Sequence, residues 1–566
     1  MLKAVSSSNG TVGIGKGLMA MEKATRVLLS TNIFTGAPEG MVSGGVALAG
    51  NRILHVGSAA EALAMAASDA EVRDYGDQLI TAGLHDSHMH LMMGCTSEHE
   101  CFLNEAKSEE DAAAQLAAWF EDHKHEYADD EWLRAWGFCY LAWDDPVPPS
   151  RHSLDKYFPD RPVFINDSDL HGGWCNTRAL ELCGLDESVQ DSPWGAFGRE
   201  EGGALSGYLG ERAKAIVEER ANNLPEAKEE RALREISQVF ASYGITSVTD
   251  MLPLDAIDIG NIDLVERLEK EGCLAFRYNF ATEMLDPFEK ARSLKERFSD
   301  KASRMYYTGV KEFIDGIVTT HTGYLLDEYS DDPAANPVWL AMDLDEASLR
   351  IDEYQREGMN IQLHCVGDGA VRCAIDLYEH AIQANGPTEA RLSIEHLDMS
   401  DPQDWARMGE LGIVASVQPP HITLVDSLEQ DEYRACIGPE RVKHLWAFKS
   451  MRDNGCPMAF GTDFPVVPVD PRIGLNRAVA RRFPDGLPRE GWNPEQKLTL
   501  SDALTIYTAG GAYKVGREQE LGTLEAGKLA DLVVWHENLF DLPADGLLGA
   551  LVDLTIFDGE VVFERR

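Results

Sequence analysis

The chain has 566 residues, 44% of them hydrophobic, enough for a large core shared among about two to four units or for one big barrel with additions. Its 95 acidic residues against 51 basic ones leave a formal net charge of -44. That field repels nucleic-acid phosphates and anionic lipid, so no nucleic acid and no membrane is expected as a partner, and its plainest meaning is a well-solvated surface.

Residues 1–24 hold Ser6 to Gly10 and several further glycines, without the apolar core of about 7–15 residues that a signal peptide needs. They are expected to be a mobile extension. Ten cysteines are scattered with no Cys-x-x-Cys pair, as in a cytoplasmic protein with reduced thiols, and no run of about 18 apolar residues occurs.

From Arg26 to Ile80, short β-rich runs are separated by Gly, Asn and Pro, and similar runs return at Leu532 to Trp535 and Val561 to Phe563, with Asp558-Gly559 as a hairpin turn. Residues 25–80 and 515–566 should therefore form one small β-sandwich domain. Between them, over 81–514, short apolar runs alternate with helical segments such as Glu226 to Phe240 and Ala370 to Ala384, which argues for a parallel sheet with covering helices. Eight candidate strands begin at Leu84, Gly244, Leu274, Tyr306, Asn360, Arg391, Ile413 and Met458. The expected fold class is α/β, a (β/α)8 TIM-type barrel whose site-building residues fall at the C-terminal strand ends. The count requires residues 95–240 to be an insertion after strand one. Trp132 to Trp136 or Pro162 to Asn166 could instead be a barrel strand, which would displace every later strand by one.

The stretch Thr81 to His90 is apolar on both flanks and short enough for a buried strand. His88 and His90 share a face in such a strand and could grip one cation, although two core histidines bonded to backbone would look the same. Lys311 lies in the apolar run Thr308 to Ile314, where a buried ammonium tends to lose its proton. The neutral amine can add carbon dioxide, giving a carbamate able to bridge two cations; snorkelling, or pairing with Glu312 or Asp315, is the alternative. His364 and His396 each end a candidate strand, and Asp463 closes Phe460-Gly461-Thr462-Asp463, where its carboxylate could bind metal and take a proton from an activated water.

His88-x-His90, Lys311, His364, His396 and Asp463, with the tail Gly522 to Val534, resemble the amidohydrolase superfamily. His364-Cys365-Val366-Gly367-Asp368, Gly309-Val310-Lys311 through Asp315-Gly316, and Ser416-Val417-Gln418-Pro419 are similar to its YtcJ-like group, which includes N-substituted formamide deformylase. Two stretches depart from the group: Leu84-His85-Asp86 stands where it usually has Gly-Phe-Ile/Leu-Asp, and Asp169 to Trp174 replaces its Gly-His-small stretch.

The resemblance implies a hydrolase with two divalent ions, zinc before manganese or iron. His88 and His90 would hold the more buried ion, His364 and His396 the other, with carboxylated Lys311 bridging them and Asp463 as the metal-linked catalytic acid-base. His171, Trp174 and Gln418 are candidate substrate contacts, with Trp174 as core of the insertion, His171 as an exposed residue and Gln418 as a backbone cap the alternatives, and the insertion should overhang the metals. The expected activity is cleavage of an amide-type C-N bond of a small molecule. Hydrolysis of an ester, lactone or cyclic imide is the alternative within enzymes, and a non-catalytic scaffold the alternative outside them. A homodimer is compatible with all of these.

Overall fold

The computed structural model describes residues 23–168, 170–192, 194–251 and 261–566; the extension to residue 22 and Asp169 lie outside them. Eight parallel strands form the central sheet: β1 (Leu84–Met89), β2 (Ile245–Met251), β3 (Arg277–Glu283), β4 (Met305–Phe313), β5 (Asn360–Cys365), β6 (Leu392–His396), β7 (Val414–Val417) and β8 (Met458–Phe460). They are the eight strands expected from the sequence, in chain order around the sheet. Nearly every residue in them is buried, as helices outside and packed side chains inside require of a parallel barrel.

Beyond β8 the chain returns to β1. The Asp463 amide donates to the His88 carbonyl at 2.8 Å, and the His90 amide to the Phe464 carbonyl at 2.8 Å. Gly461 permits this approach, because a Cβ there would lie 2.6 Å from the His88 backbone nitrogen and Cβ.

Both chain ends join in a second, eight-stranded sheet. Leu79–Ala82 pairs in parallel with the strand Ala24–Phe34 and antiparallel with Leu532–Trp535. Val552–Phe557 and Glu560–Glu564 follow as a hairpin, turned by Asp558 (φ 52°) and Gly559 (φ 84°), both left-handed as an Asp-Gly turn requires. Arg277 at the start of β3 welds this sheet to the barrel: its buried guanidinium donates to Asp531 at 2.7 Å and to Asp558 at 2.8 Å.

A third sheet of six strands, between Cys101 and Glu211, lies in the segment that follows β1. Its strands include Leu133–Phe138, Val163–Asp167, Gly172–Cys175 and Leu205–Glu211. The helix Glu226–Tyr243, most of it inside the expected insertion, packs on β2 and on the C-terminal hairpin. No helix among the described residues is long and apolar enough to cross a membrane.

Candidate metal centre and active site

His88 is fully buried at the end of β1, and its Nδ1 lies 2.7 Å from Glu395 Oε2. Beside a carboxylate that nitrogen carries the proton, so the lone pair belongs to Nε2. Glu395 is itself fixed by Lys514, whose Nζ donates to Glu395 Oε2 at 2.8 Å, to the Ser87 carbonyl at 2.8 Å and to Ser416 Oγ at 2.9 Å. Burial works against the Glu395 carboxylate, but the Lys514 ammonium and the His88 ring hold it far below the usual range. Glu395 and Lys514 therefore aim His88.

His88 Nε2 approaches Asp463 Oδ1 at 3.4 Å, and His90 Nε2 reaches the same oxygen at 3.2 Å. Asp463 Oδ2 lies 3.9 Å from His396 Nδ1 and 3.7 Å from His421 Nε2. Donor atoms of His88, His396 and Asp463 all fall within 4.8 Å of one another. His364 lies against His396 with ring centroids 4.3 Å apart and the rings tilted by 59°, and its Nε2 lies 3.2 Å from the Gly316 carbonyl, an arrangement that leaves Nδ1 to accept.

Two of these residues sit in strained backbone: His396 has φ 74° and Asp463 φ 67°. Left-handed conformations cost a non-glycine residue about 1–2 kcal/mol, and such strain collects where a side chain must be aimed.

Burial pushes the His90, His364 and His396 imidazoles below their ordinary value, which keeps them neutral and able to donate a lone pair. For Asp463, burial is outweighed by the surrounding histidines, and the carboxyl is held well below its usual range. Lys311 is also buried, and desolvation drives its amine down. The alternative partners for Lys311 are engaged elsewhere. Glu312 pairs with Arg212 at 2.7 Å, and both oxygens of Asp315 accept backbone amides from Tyr324, Val366 and Gly367.

Divalent ions fit this donor set. His88 Nε2, His421 Nε2 and Asp463 Oδ1 are buried without a hydrogen-bond partner, and imidazoles beside a carboxylate are the ligands that zinc and similar ions prefer. His90, Lys311, His364, His396 and Asp463 all face one cavity of about 50 Å³, with His88 behind them.

The amidohydrolase family model matches residues 71–563. The chain belongs to the amidohydrolase family. It is 28% identical over 530 residues to Protein LONG AFTER FAR-RED 3 of Arabidopsis thaliana, covering 91% of this chain and 88% of the relative. To the N-substituted formamide deformylase of Arthrobacter pascens it is 25% identical, covering 95% and 98%. Among solved structures, an uncharacterized metal-dependent hydrolase from Pyrococcus horikoshii shares the fold, with a TM-score of 0.72 at 23% identity over 92% of this chain and 99% of that one. This amidohydrolase thus gathers histidines and a carboxylate able to hold divalent metal at the C-terminal ends of its barrel strands.

The three expected substrate contacts lie in three different surroundings. His171 lines the metal-side cavity, its ring 5.7 Å from His364 and its Nδ1 2.9 Å from Glu211 Oε2. Gln418 is buried at the end of β7 with neither amide atom hydrogen-bonded, and it does not line that cavity. Trp174 takes the other expected place, in the core of the insertion. It is fully buried in the core of the inserted sheet, against Phe138 and Trp143, with Nε1 donating to the Ser150 carbonyl at 3.0 Å. Gly172 and Gly173 likewise make room for protein atoms: a Cβ would strike Asp167 at 2.3 Å at the first and the Phe164 ring at 2.7 Å at the second.

Sequence reasoning passed over Glu395, Lys514, His421 and Glu211. Glu395 had a signal, an acidic residue inside an apolar strand next to a candidate ligand. Lys514 had none, because it reaches the site from a helix more than a hundred residues downstream.

Proposed function

We propose that the protein hydrolyses an amide-type C-N bond of a small molecule whose reacting acyl group is small. The observation that carries this is Asp463: a carboxylate kept ionised among metal-competent histidines, at the wall of a cavity of about 50 Å³. The ions themselves would fill part of that volume, so the space left beside them suits a small reacting group.

His88 and His90 with Asp463 would hold one ion, and His364 and His396 the other, with Lys311 in its carboxylated form joining them. Zinc suits that donor set best. A bound divalent ion supplies Lewis acidity toward a carbonyl oxygen and toward water. Asp463 accepts the proton of the attacking water on a carboxylate oxygen and returns it to the amide nitrogen, which leaves poorly unless protonated. Glu395 and Lys514 keep His88 in the tautomer that offers Nε2. His171, braced by Glu211, stands above His364, where it can donate to the substrate.

The similarity to an N-substituted formamide deformylase supports this reading, and the complete donor set counts against a non-catalytic scaffold. The test is a panel of formamides, N-acyl amino acids, lactams and esters given to zinc-loaded protein. Amine release from at least one N-substituted amide is expected; turnover confined to esters or lactones would replace the C-N reading.

A further inference from the structure

A second cavity, of about 290 Å³, adjoins the metal-side one, and His171, Glu211 and Trp339 line both. The two spaces are therefore a small reacting chamber and a larger outer chamber meeting at those three side chains. A ring-sized group fits the outer chamber but not the inner one.

The outer walls come from the insertion on one side, with Tyr140, Asp167 and Tyr208, and from the segment after β4 on the other, with Thr320 and Trp339. Asp167 ends its strand, and that strand's alternation separates it from Asn166, whose side chain turns into the insertion to meet Lys214 at 3.0 Å and Glu218 at 3.1 Å. A Cβ on Gly172 would fall 2.3 Å from Asp167 Oδ2 and 2.9 Å from the Tyr208 hydroxyl. The missing side chain there is what lets that carboxylate and that phenol share one patch of wall. Tyr140 closes on Tyr208 edge to face at 5.5 Å.

Two carboxylates, Asp167 and Glu211, thus stand among aromatic faces, and among the described residues no lysine or arginine lines this chamber. Aromatic faces and carboxylates together recognise cations, and an anion would meet repulsion from the two carboxylates.

We propose that the outer chamber is the subsite for the amine-side arm of the substrate, and that it selects an aromatic arm bearing a positive charge. The assignment rests on the amide-hydrolysis reading only for which end of the substrate reacts.

The test has two parts. In the first, zinc-loaded enzyme is given three N-benzylformamides with methyl, aminomethyl or carboxylate at the para position. The cationic compound should have at least about tenfold higher kcat/KM than the anionic one, the order of one charge-assisted contact, and Asp167→Asn should shrink that ratio about tenfold, chiefly through KM. The second part needs no turnover: calorimetry of benzyltrimethylammonium, benzyl alcohol and benzylsulfonate binding to the full chain. The cation should bind tightest, the sulfonate weakest, and D167N should lose the cation's advantage. Equal affinity for cation and sulfonate, or a cation affinity untouched by D167N, would overturn the subsite. If the binding order holds while turnover of the wider panel is confined to esters or lactones, the subsite stands and the C-N reading fails.

Discussion

Asp463 has two duties that one substitution can separate. An asparagine keeps an oxygen for a metal but cannot carry a proton, so Asp463→Asn should retain most of its metal and lose at least about a hundredfold in kcat, the lower range of general acid-base contributions. Metal analysis beside steady-state kinetics checks both halves; near-normal turnover would assign the proton to another group. Glu395 acts one step further out, through His88. Glu395→Gln removes the charge that fixes the His88 tautomer and strands the buried Lys514 ammonium. Metal affinity is expected to fall about 10–100-fold, as for comparable outer ligand partners, read by competition with a chromophoric chelator. The five residues His88, His90, His364, His396 and Asp463 were legible because each is a polar residue at the end of an apolar run. The network that aims them was not, since Lys514 and Glu395 meet only through the closed barrel.

The strands and the loops behave differently as elements. β2 carries Asp250, buried and accepting from the Leu91 amide at 2.9 Å and the Tyr278 hydroxyl at 2.8 Å. Burial pushes its carboxyl up to about 6. The folded chain then holds a proton that the unfolded chain has released between about pH 3.8 and 6, so this group's contribution to stability falls as pH rises through that window and levels above it. Asp250→Asn keeps the Leu91 bond on its oxygen and, with the Tyr278 hydroxyl turned to accept from the amide nitrogen, the second contact as well, without the charge. It should match the parent near pH 4 and exceed it at pH 7 by up to about 3 kcal/mol at 1.36 kcal/mol per unit, seen as a gap in unfolding midpoint that opens with pH. A gap that stays constant would mean the carboxyl is not perturbed. The inserted sheet offers the contrast. Its existence was legible from Trp132 to Trp136 and Pro162 to Asn166, but the direction of Trp174 was not, because a tryptophan in a short alternating strand can face either a ligand or a core. Trp174→Ala should cost about 3–5 kcal/mol of stability while leaving the ranking of substrates as it was; a changed ranking without loss of stability would restore a contact role.

On the scale of the whole molecule, the two chain ends close one sheet beneath the barrel, the barrel holds the ligands, and the insertion supplies half of the outer chamber. The net charge of -44 favours approach of cations over anions at low salt, in the same sense as the chamber's own carboxylates. The most direct test is to strip the protein with a chelator and titrate zinc back while following amine release from an N-substituted formamide. Activity should be absent at the start, rise with added metal and saturate at one to two equivalents per chain, with the D463N protein at least about a hundredfold slower throughout. Amine release that is undiminished after stripping, or that never appears with zinc, manganese or iron restored, would contradict a metal-dependent C-N hydrolase.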